Sequence, residues 1–130
     1  MEQLTDQFQK TVDSMLIRHQ SILDILSKSQ ESSARVNRAV VKSVTNCGCH
    51  SINAHKKAIP TSAGLTDLKE LLDSQLEGKT CINCQEIVEA ELGKHLFYLA
   101  ALANTLNISL SDVLVKENRK LNTLRIFNMT

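Results

Sequence analysis

Hydrophobic residues near the start of the chain recur at steps of three and four positions, the spacing that places side chains on one side of a helix. This pattern predicts a long first helix over about residues 3–28. The polar segment SKSQESS, residues 27–33, predicts a break, and apolar steps from Val36 to Val44 then predict a second helix that ends near Thr45. The members of the first pattern are Leu4, Phe8, Val12, Met15, Leu16, Ile22, Leu23 and Leu26.

The second half of the chain carries three further helical patterns. Leucines between residues 65 and 76 predict a short helix, with Thr66 as its N-cap and Gly78 as its stop. The strongest pattern predicts a central helix over about 81–106, in which the apolar positions are Ile87, Val88, Leu92, Leu96, Leu99, Ala100 and Ala103. We expect this helix to lie at the centre of the core.

The end of the central helix and the start of the last one have recognisable capping signals. Asn107 is a candidate left-handed terminator, and Ser109 with Asp112 resembles a capping box that opens a last helix through about Asn122. No alternating pattern predicts a sustained strand, although the final segment LRIFNMT is compatible with extended structure. The chain is therefore predicted to be all-α, a bundle of about five helices in a single domain over residues 1–130.

Composition and charge narrow the class of protein. The 130 residues are 42% hydrophobic and 22% charged, with a net charge of +1 spread evenly along the chain. We therefore expect one globular domain and no nucleic-acid partner. The most apolar run, HLFYLAALANTLNISL, is shorter than the roughly 20 residues of a membrane helix. We expect no membrane span and no secretory signal, and a cytoplasmic location.

Four cysteines are the first candidate for chemistry. Cys47 and Cys49 form a Cys-x-Cys pair, and Cys81 and Cys84 form a Cys-x-x-Cys pair, so that residues 46–85 make a cysteine-bearing connection. Because thiols stay reduced in the cytosol, we expect the two pairs to bind a metal ion rather than to form disulfides. Four thiolates suit tetrahedral zinc, and a structural zinc ion would fix the conformation of this connection. His50 is a reserve ligand. An iron–sulfur cluster, redox thiols and buried cysteines without a ligand are the alternatives.

The other histidines have ordinary interpretations. His55 stands beside two lysines in the cysteine-bearing connection, where we expect a solvated side chain. His19 and His95 lie within predicted helices, and we expect each to be a packed histidine with one hydrogen-bond partner rather than a metal ligand.

Carboxylates on the central helix are the second candidate. Glu86, Glu89 and Glu91 lie close together in sequence, and such acids usually form a solvated helix face. Functional paired carboxylates need a cation, for which magnesium with a nucleotide phosphate is the ordinary choice.

The segment EAELGKHLFYLAALANTLNISLSDVL, residues 89–114, resembles the third-helix region of MazG-like nucleotide pyrophosphohydrolases. The cluster KENRK, residues 116–120, is similar to the Lys/Asn/Arg cluster that follows in that family. The resemblance implies an all-α, dimeric or tetrameric enzyme that hydrolyses nucleoside triphosphates to monophosphate and pyrophosphate. It also implies magnesium held by a Glu-x-x-Glu pair on one helix and a Glu-x-x-Asp pair on the next.

The sequence departs from that family pattern at the metal ligands. Glu91 matches the first acid of the second pair, but Lys94 stands in place of the aspartate, and an ammonium cannot ligate a cation. Residues 32–44 contain no acid. We therefore predict a non-catalytic binding or regulatory protein, a homodimer by virtue of its long apolar first helix, that binds a phosphorylated ligand such as a nucleotide. The candidate phosphate contacts are Arg35, Arg38 and Lys94.

Two other functions remain open from the sequence. One is a magnesium-dependent nucleoside triphosphate pyrophosphohydrolase that uses Glu86, Glu89 and Glu91 in a rearranged site. The weaker one is a thiol redox protein, which requires a cysteine with a lowered pKa.

Overall fold

A computed structural model describes residues 2–16 and 20–124, and it is 72% helical. The predicted all-α class and the five helices are confirmed. The helices are α1 (Glu2–Met15), α2 (Ile22–Lys42), α3 (Leu65–Leu71), α4 (Ile82–Thr105) and α5 (Leu110–Leu124). A π-helical turn, Ser43–Cys47, extends α2, and two short strands, β1 (His50–Ile52) and β2 (Leu76–Gly78), lie in the connection to α4.

The centre of the fold is the antiparallel pair α2 and α4, against which α1 packs. Ile25 of α2 and Val12 of α1 are almost fully buried against Ala100 and Ala101 of α4. The two alanines present so little side chain that three helices can approach at this point. Burial of apolar surface here is the main stabilising contribution that the fold provides.

The predicted first helix over 3–28 is wrong, because the chain leaves the helix after Met15 and starts a new one at Ile22. Ser21 is the N-cap of α2, and its hydroxyl accepts the amide N–H of Leu23 at 3.2 Å. The two helices fold back so that Val12 and Ile25 meet in one cluster. The apolar spacing continues in the sequence from Met15 to Ile22, and periodicity therefore gave no sign that one helix ends and another begins.

The predicted break at SKSQESS is also wrong, since α2 runs through it. One of its polar residues, Ser32, is only 3% exposed. Its hydroxyl donates to the carbonyl of Ser29 at 2.9 Å and lies 2.8 Å from Nδ1 of His95 on α4. A polar side chain on the buried face of a helix is tolerated when its hydrogen bonds are made within the protein. The hydrogen bond between Ser32 and His95 connects α2 to α4.

The segment around α3 differs from its prediction in two ways. The helix begins after Gly64, whose N–H donates to Asp67, so Thr66 lies inside the first turn and is not the N-cap. It ends at Leu71, and residues 76–78 form a strand instead of its last turn. This strand pairs antiparallel with β1 in a two-stranded ribbon, in the register His50 with Gly78 and Ile52 with Leu76.

Helix α4 and its boundaries follow the prediction closely. Asn107 has the left-handed φ of 56°, and the N–H of Asp112 donates to the Ser109 hydroxyl at 3.3 Å at the start of α5. Most of LRIFNMT lies outside the described residues. Among the described helices, no single one is long and apolar enough to cross a membrane, and α4 with α5 meets the length and composition requirement only as a pair bent by 104°.

Candidate metal centre

The first cysteine pair is positioned by the end of α2. The π-helical turn Ser43–Cys47 widens the last turn of the helix, and such turns occur often at functional sites. Gly48 follows with φ 79° and turns the chain back, while its N–H donates to the carbonyl of Ser43 at 3.0 Å. The thiol of Cys49 points at the same carbonyl, at 3.7 Å. Cys47 and Cys49 therefore lie on the same side of the helix end.

The second pair lies at the start of α4. Cys81 is the N-cap of this helix, and its sulfur accepts the amide N–H of Cys84 at 3.4 Å. Cys84 is in the first helical turn and is buried. Free N–H groups and the positive end of the helix dipole stabilise thiolate charge at such a position.

The ribbon of β1 and β2 brings the two pairs together. His50 pairs with Gly78, which places the residue after Cys49 opposite a residue three positions before Cys81. Gly78 has φ 92°, and a Cβ built on it would lie 2.3 Å from the carbonyl oxygen of Cys49. Only glycine therefore fits at this crossing without a shift of the backbone.

The four cysteine sulfurs form one cluster, in which all Sγ atoms lie within 4.8 Å of one another. The Sγ atoms of Cys47 and Cys81 are 3.7 Å apart, and all four cysteines are free thiols. A zinc–sulfur distance of about 2.3 Å places two sulfurs of a tetrahedron roughly 3.8 Å apart. The four cysteines can therefore hold a metal ion. Among the described residues, they are the group of histidine, cysteine or carboxylate side chains whose ligand atoms lie close enough together to do so.

His50 is not placed as a metal ligand, because both of its ring nitrogens are engaged elsewhere. The Ser43 hydroxyl donates to the carbonyl of Val40 at 2.6 Å, so at 3.1 Å it accepts from Nδ1 of His50. The Thr80 hydroxyl lies 2.8 Å from Nε2 of the same ring and donates to it. His50 is 9% exposed and joins the end of α2 to the residue before Cys81. The ring therefore connects the two segments that carry the cysteine pairs. Sequence reasoning missed its contacts with Ser43 and Thr80.

Within the cluster, the thiols of Cys81 and Cys84 have opposite tendencies. The N–H of Cys84 lowers the pKa of Cys81 to about 7, with further contributions from the neighbouring thiols. Donation from its own thiol to Cys81 raises the pKa of Cys84 to about 12, and burial adds to this shift. Cys81 is therefore the thiol of this pair that loses its proton first, and its sulfur is the ligand that a cation entering the cluster would meet first.

The predicted carboxylate candidates are not brought together. Glu86 and Glu89 are exposed, and Glu89 accepts from the side chain of Gln85 at 2.9 Å. Glu91 faces the interior, where its Oε2 is buried without a hydrogen-bond partner. At 100° per residue, Glu91 lies about 140° to 160° around α4 from the other two.

The candidate phosphate contacts are partly brought together. Arg35 of α2 and Lys94 of α4 line one cavity of about 230 Å³, which we call the basic pocket. Arg38 is exposed and does not line it. The residues of the basic pocket are Lys28, Glu31, Ser32, Arg35, Lys94 and Tyr98. Sequence reasoning missed Lys28, because the predicted break at residues 27–33 separated it from Arg35. It missed Tyr98, because this residue lies within the apolar run of α4.

The remaining histidines and the KENRK cluster lie away from both sites. His55 is exposed, as predicted, and His95 is the packed histidine that contacts Ser32, also as predicted. His19 lies outside the described residues. Lys116, Arg119 and Lys120 line a separate cavity on α5.

Comparison with protein-family models, with curated proteins and with solved structures finds no match for this chain. The fold and the site together define a mostly helical domain with a four-cysteine cluster that can hold a metal ion.

Proposed function

We propose that this chain is a non-catalytic, MazG-like binding or regulatory module, stapled by a structural zinc ion, that binds a phosphorylated ligand. The observation that carries the proposal is the convergence of four cysteine sulfurs where α2 ends and α4 begins. Zinc prefers thiolates, and a site closed by four protein ligands leaves no open position for chemistry. The ion would cross-link the two central helices, and the cytosol remains the predicted compartment because thiols stay reduced there.

A single ion suits the cluster better than a multi-iron cluster. The sulfur separations, up to 4.8 Å, correspond to ligands around one centre. An iron–sulfur cluster places several irons and bridging sulfides between its cysteines and needs more room. A redox role is less well supported, because a coordinated zinc would suppress thiol exchange.

Metal analysis tests the zinc proposal. Protein purified without added metal is expected to contain one zinc per chain by mass spectrometry of the metal. A double variant, Cys81→Ser with Cys84→Ser, is expected to lose it, whereas His55→Ala, which changes an exposed histidine of the same connection, is expected to keep it. Metal-free protein, or iron with acid-labile sulfide, would overturn the zinc assignment.

The absence of catalysis is supported by the residues at the MazG-like metal positions. The resemblance requires two acids three positions apart on each of two neighbouring helices. At that spacing α2 carries Lys28 and Glu31, and α4 carries Glu91 and Lys94, so each pair keeps one glutamate and has one lysine. An ammonium group cannot ligate magnesium, and without the ion the charge on a transferred phosphoryl group is poorly stabilised.

A pyrophosphate-release assay separates this proposal from the enzymatic alternative. Zinc-loaded protein with magnesium and a panel of common and modified nucleoside triphosphates is expected to release no pyrophosphate above the buffer rate. Magnesium-dependent release that is lost in Glu91→Gln would establish the pyrophosphohydrolase instead.

The homodimer is supported by the surface that the single chain leaves uncovered. A folded monomer of 14.5 kDa is expected to expose about 6,900 Å², whereas this chain exposes 10192 Å². The difference is about four times the roughly 800 Å² that one partner contributes to a standard interface. Part of it belongs to the extended connection between β1 and α3.

An apolar face of the α2 and α4 pair is the surface that we propose the second copy covers. Leu92 and Leu96 of α4 are 43% and 54% exposed, and Leu26 and Val40 of α2 are 48% and 42% exposed. At 100° per residue, these side chains lie 120° or more around their helices from the charged residues that line the basic pocket. These exposed apolar side chains therefore lie on the side of the pair away from the charged residues of the basic pocket, so a dimer through that side leaves the pocket open.

Size-exclusion chromatography with light scattering tests this interface. The chain is expected to be a dimer at micromolar concentration, and Leu96→Asp is expected to convert it to a monomer. Ile52→Asp, on the ribbon and 59% exposed, is the matched control and should remain dimeric. A monomeric parent chain, or a Leu96→Asp variant that stays dimeric, would contradict the proposed face.

A further inference from the structure

The basic pocket lies between α2 and α4, on the charged side of the pair. Three of its six lining residues are cationic, two from α2 and one from α4, and one is a carboxylate. The pocket therefore carries a net charge of +2 in a concave space between two helices. Like charges held together in this way repel one another unless a counterion lies among them.

The carboxylate of the pocket does not neutralise all three cations. Glu31 accepts from Lys28 at 3.1 Å and contacts Arg35 at 3.4 Å, both on its own helix. The hydrogen bond and charge of Lys28 hold the pKa of Glu31 below its ordinary value, so the carboxylate stays ionised. Lys94, on the facing helix, has no carboxylate partner among the described residues. Its ammonium adds one positive charge to the one that Lys28 and Arg35 together retain beside Glu31.

The pocket also offers a hydroxyl donor. No residue within the described part of the chain accepts a hydrogen bond from Tyr98, and its ring is held edge-on against Phe97, with centroids 5.2 Å apart. The Ser32 hydroxyl is committed to Ser29 and His95 and adds no donor. An anion in the pocket would thus meet guanidinium, ammonium and phenol donors, the groups that recognise phosphate oxygens.

Size limits the ligand to a small group. The cavity of about 230 Å³ has room for about eight waters at roughly 30 Å³ each. Pockets that enclose a drug-sized molecule measure about 300–1,000 Å³. A tetrahedral oxyanion fits, whereas the base and sugar of a nucleotide would extend outside.

We propose that the basic pocket binds the dianionic phosphate group of a phosphomonoester, with Lys94, Arg35 and Lys28 supplying the positive charge and no magnesium ion required. This inference rests on the proposed function, because it names the chemical class of the phosphorylated ligand. It also assigns Glu31 a specific role. The carboxylate competes with the ligand for Lys28 and Arg35, so that its removal strengthens phosphate binding.

Titration calorimetry with zinc-loaded protein tests the pocket, with inorganic phosphate and glycerol phosphate as probes in separate arms. Both are expected to bind without magnesium, and the ester more tightly if a phosphorylated metabolite rather than free phosphate is the natural ligand. Lys94→Met should weaken binding at least tenfold, and Glu31→Gln should tighten it severalfold. Lys116→Met, which removes a lysine of α5 outside the pocket, should leave it unchanged.

Three results would overturn the inference: no binding of either probe, equal weakening by Lys94→Met and Lys116→Met, or weaker binding in Glu31→Gln. Binding that requires magnesium would also overturn it, because the cations of the chain would then not be sufficient. These failures can be distinguished from failure of the zinc site and from the presence of catalysis. A protein that contains zinc, releases no pyrophosphate and binds neither probe keeps the zinc-bound, non-catalytic part of the proposed function and loses its phosphate-binding part.

Discussion

Gly78 gives a sharp test of how the two halves of the cysteine cluster are held together. Its φ of 92° lies in the left-handed region, and an added Cβ would lie 2.3 Å from the carbonyl oxygen of Cys49. Neither atom of this contact belongs to a flexible side chain. Gly78→Ala must therefore move the ribbon, and with it Cys49 relative to Cys81.

The expected cost follows from two contributions. A left-handed conformation costs a residue with a Cβ about 1–2 kcal/mol, and overpacking of this kind costs about 1–3 kcal/mol. A total of about 2–5 kcal/mol would lower the melting temperature by roughly 10 °C or more in a domain of this size. Each 1.4 kcal/mol changes a dissociation constant tenfold. If the whole cost of about 2 kcal/mol or more destabilises the metal-bound state, zinc affinity should therefore fall by at least about 30-fold.

Two other glycines provide controls for a thermal melt by circular dichroism and a competitive chelator titration. Gly48 has φ 79° but no atom within 4 Å of the position that a Cβ would take, so Gly48→Ala should show only the backbone cost, about 1–2 kcal/mol. Gly93 lies inside α4 with the same free space, and Gly93→Ala should stabilise the protein by about 0.5–1 kcal/mol. If Gly78→Ala has the same melting temperature and zinc affinity as Gly48→Ala, the contact between residue 78 and Cys49 does not hold the cluster together.

Four further predictions concern the metal cross-link, the His50 ring beside it and the packing of the helices. Removal of the metal with a chelator should lower the free energy of unfolding by about 4 kcal/mol, the value for a cross-link that closes a loop of about 30 residues, and a urea titration measures it. Thr80→Val should lower the free energy of unfolding by about 1–3 kcal/mol, because Nε2 of His50 loses its donor in a buried site. The zinc content should stay at one per chain. Loss of the metal would mean that the His50 ring takes part in metal binding. Ser32→Ala should lower the free energy of unfolding by about 1–3 kcal/mol, because it leaves His95 without its partner. Ile25→Ala should lower it by about 2–5 kcal/mol, because this side chain is fully buried. Negligible effects of both variants in a thermal melt would contradict the assigned core.

The helix prediction succeeded where a pattern was long and its ends carried capping residues. Helix α4 has an apolar pattern over more than twenty residues, and Asn107 and Ser109 mark its end and the start of the next helix. The prediction failed at Ser21, because the apolar spacing in the sequence continues from α1 into α2 without a change of phase. It failed again at Ser32, because a buried polar residue satisfied by a distant histidine has the same appearance in sequence as a solvated one.

The sequence by itself determined the class of the fold, the central helix and the four thiols with their spacing, because these depend on local periodicity and on residue type. Only the tertiary structure decided that the two cysteine pairs converge, since this depends on the ribbon register of His50 and Gly78, which lie 28 positions apart. Tertiary structure also placed the ring nitrogens of His50 against Ser43 and Thr80, and it placed Lys28 and Lys94 around one pocket. Contacts between distant segments decide such matters, and their partners cannot be identified from the spacing of residues along one segment.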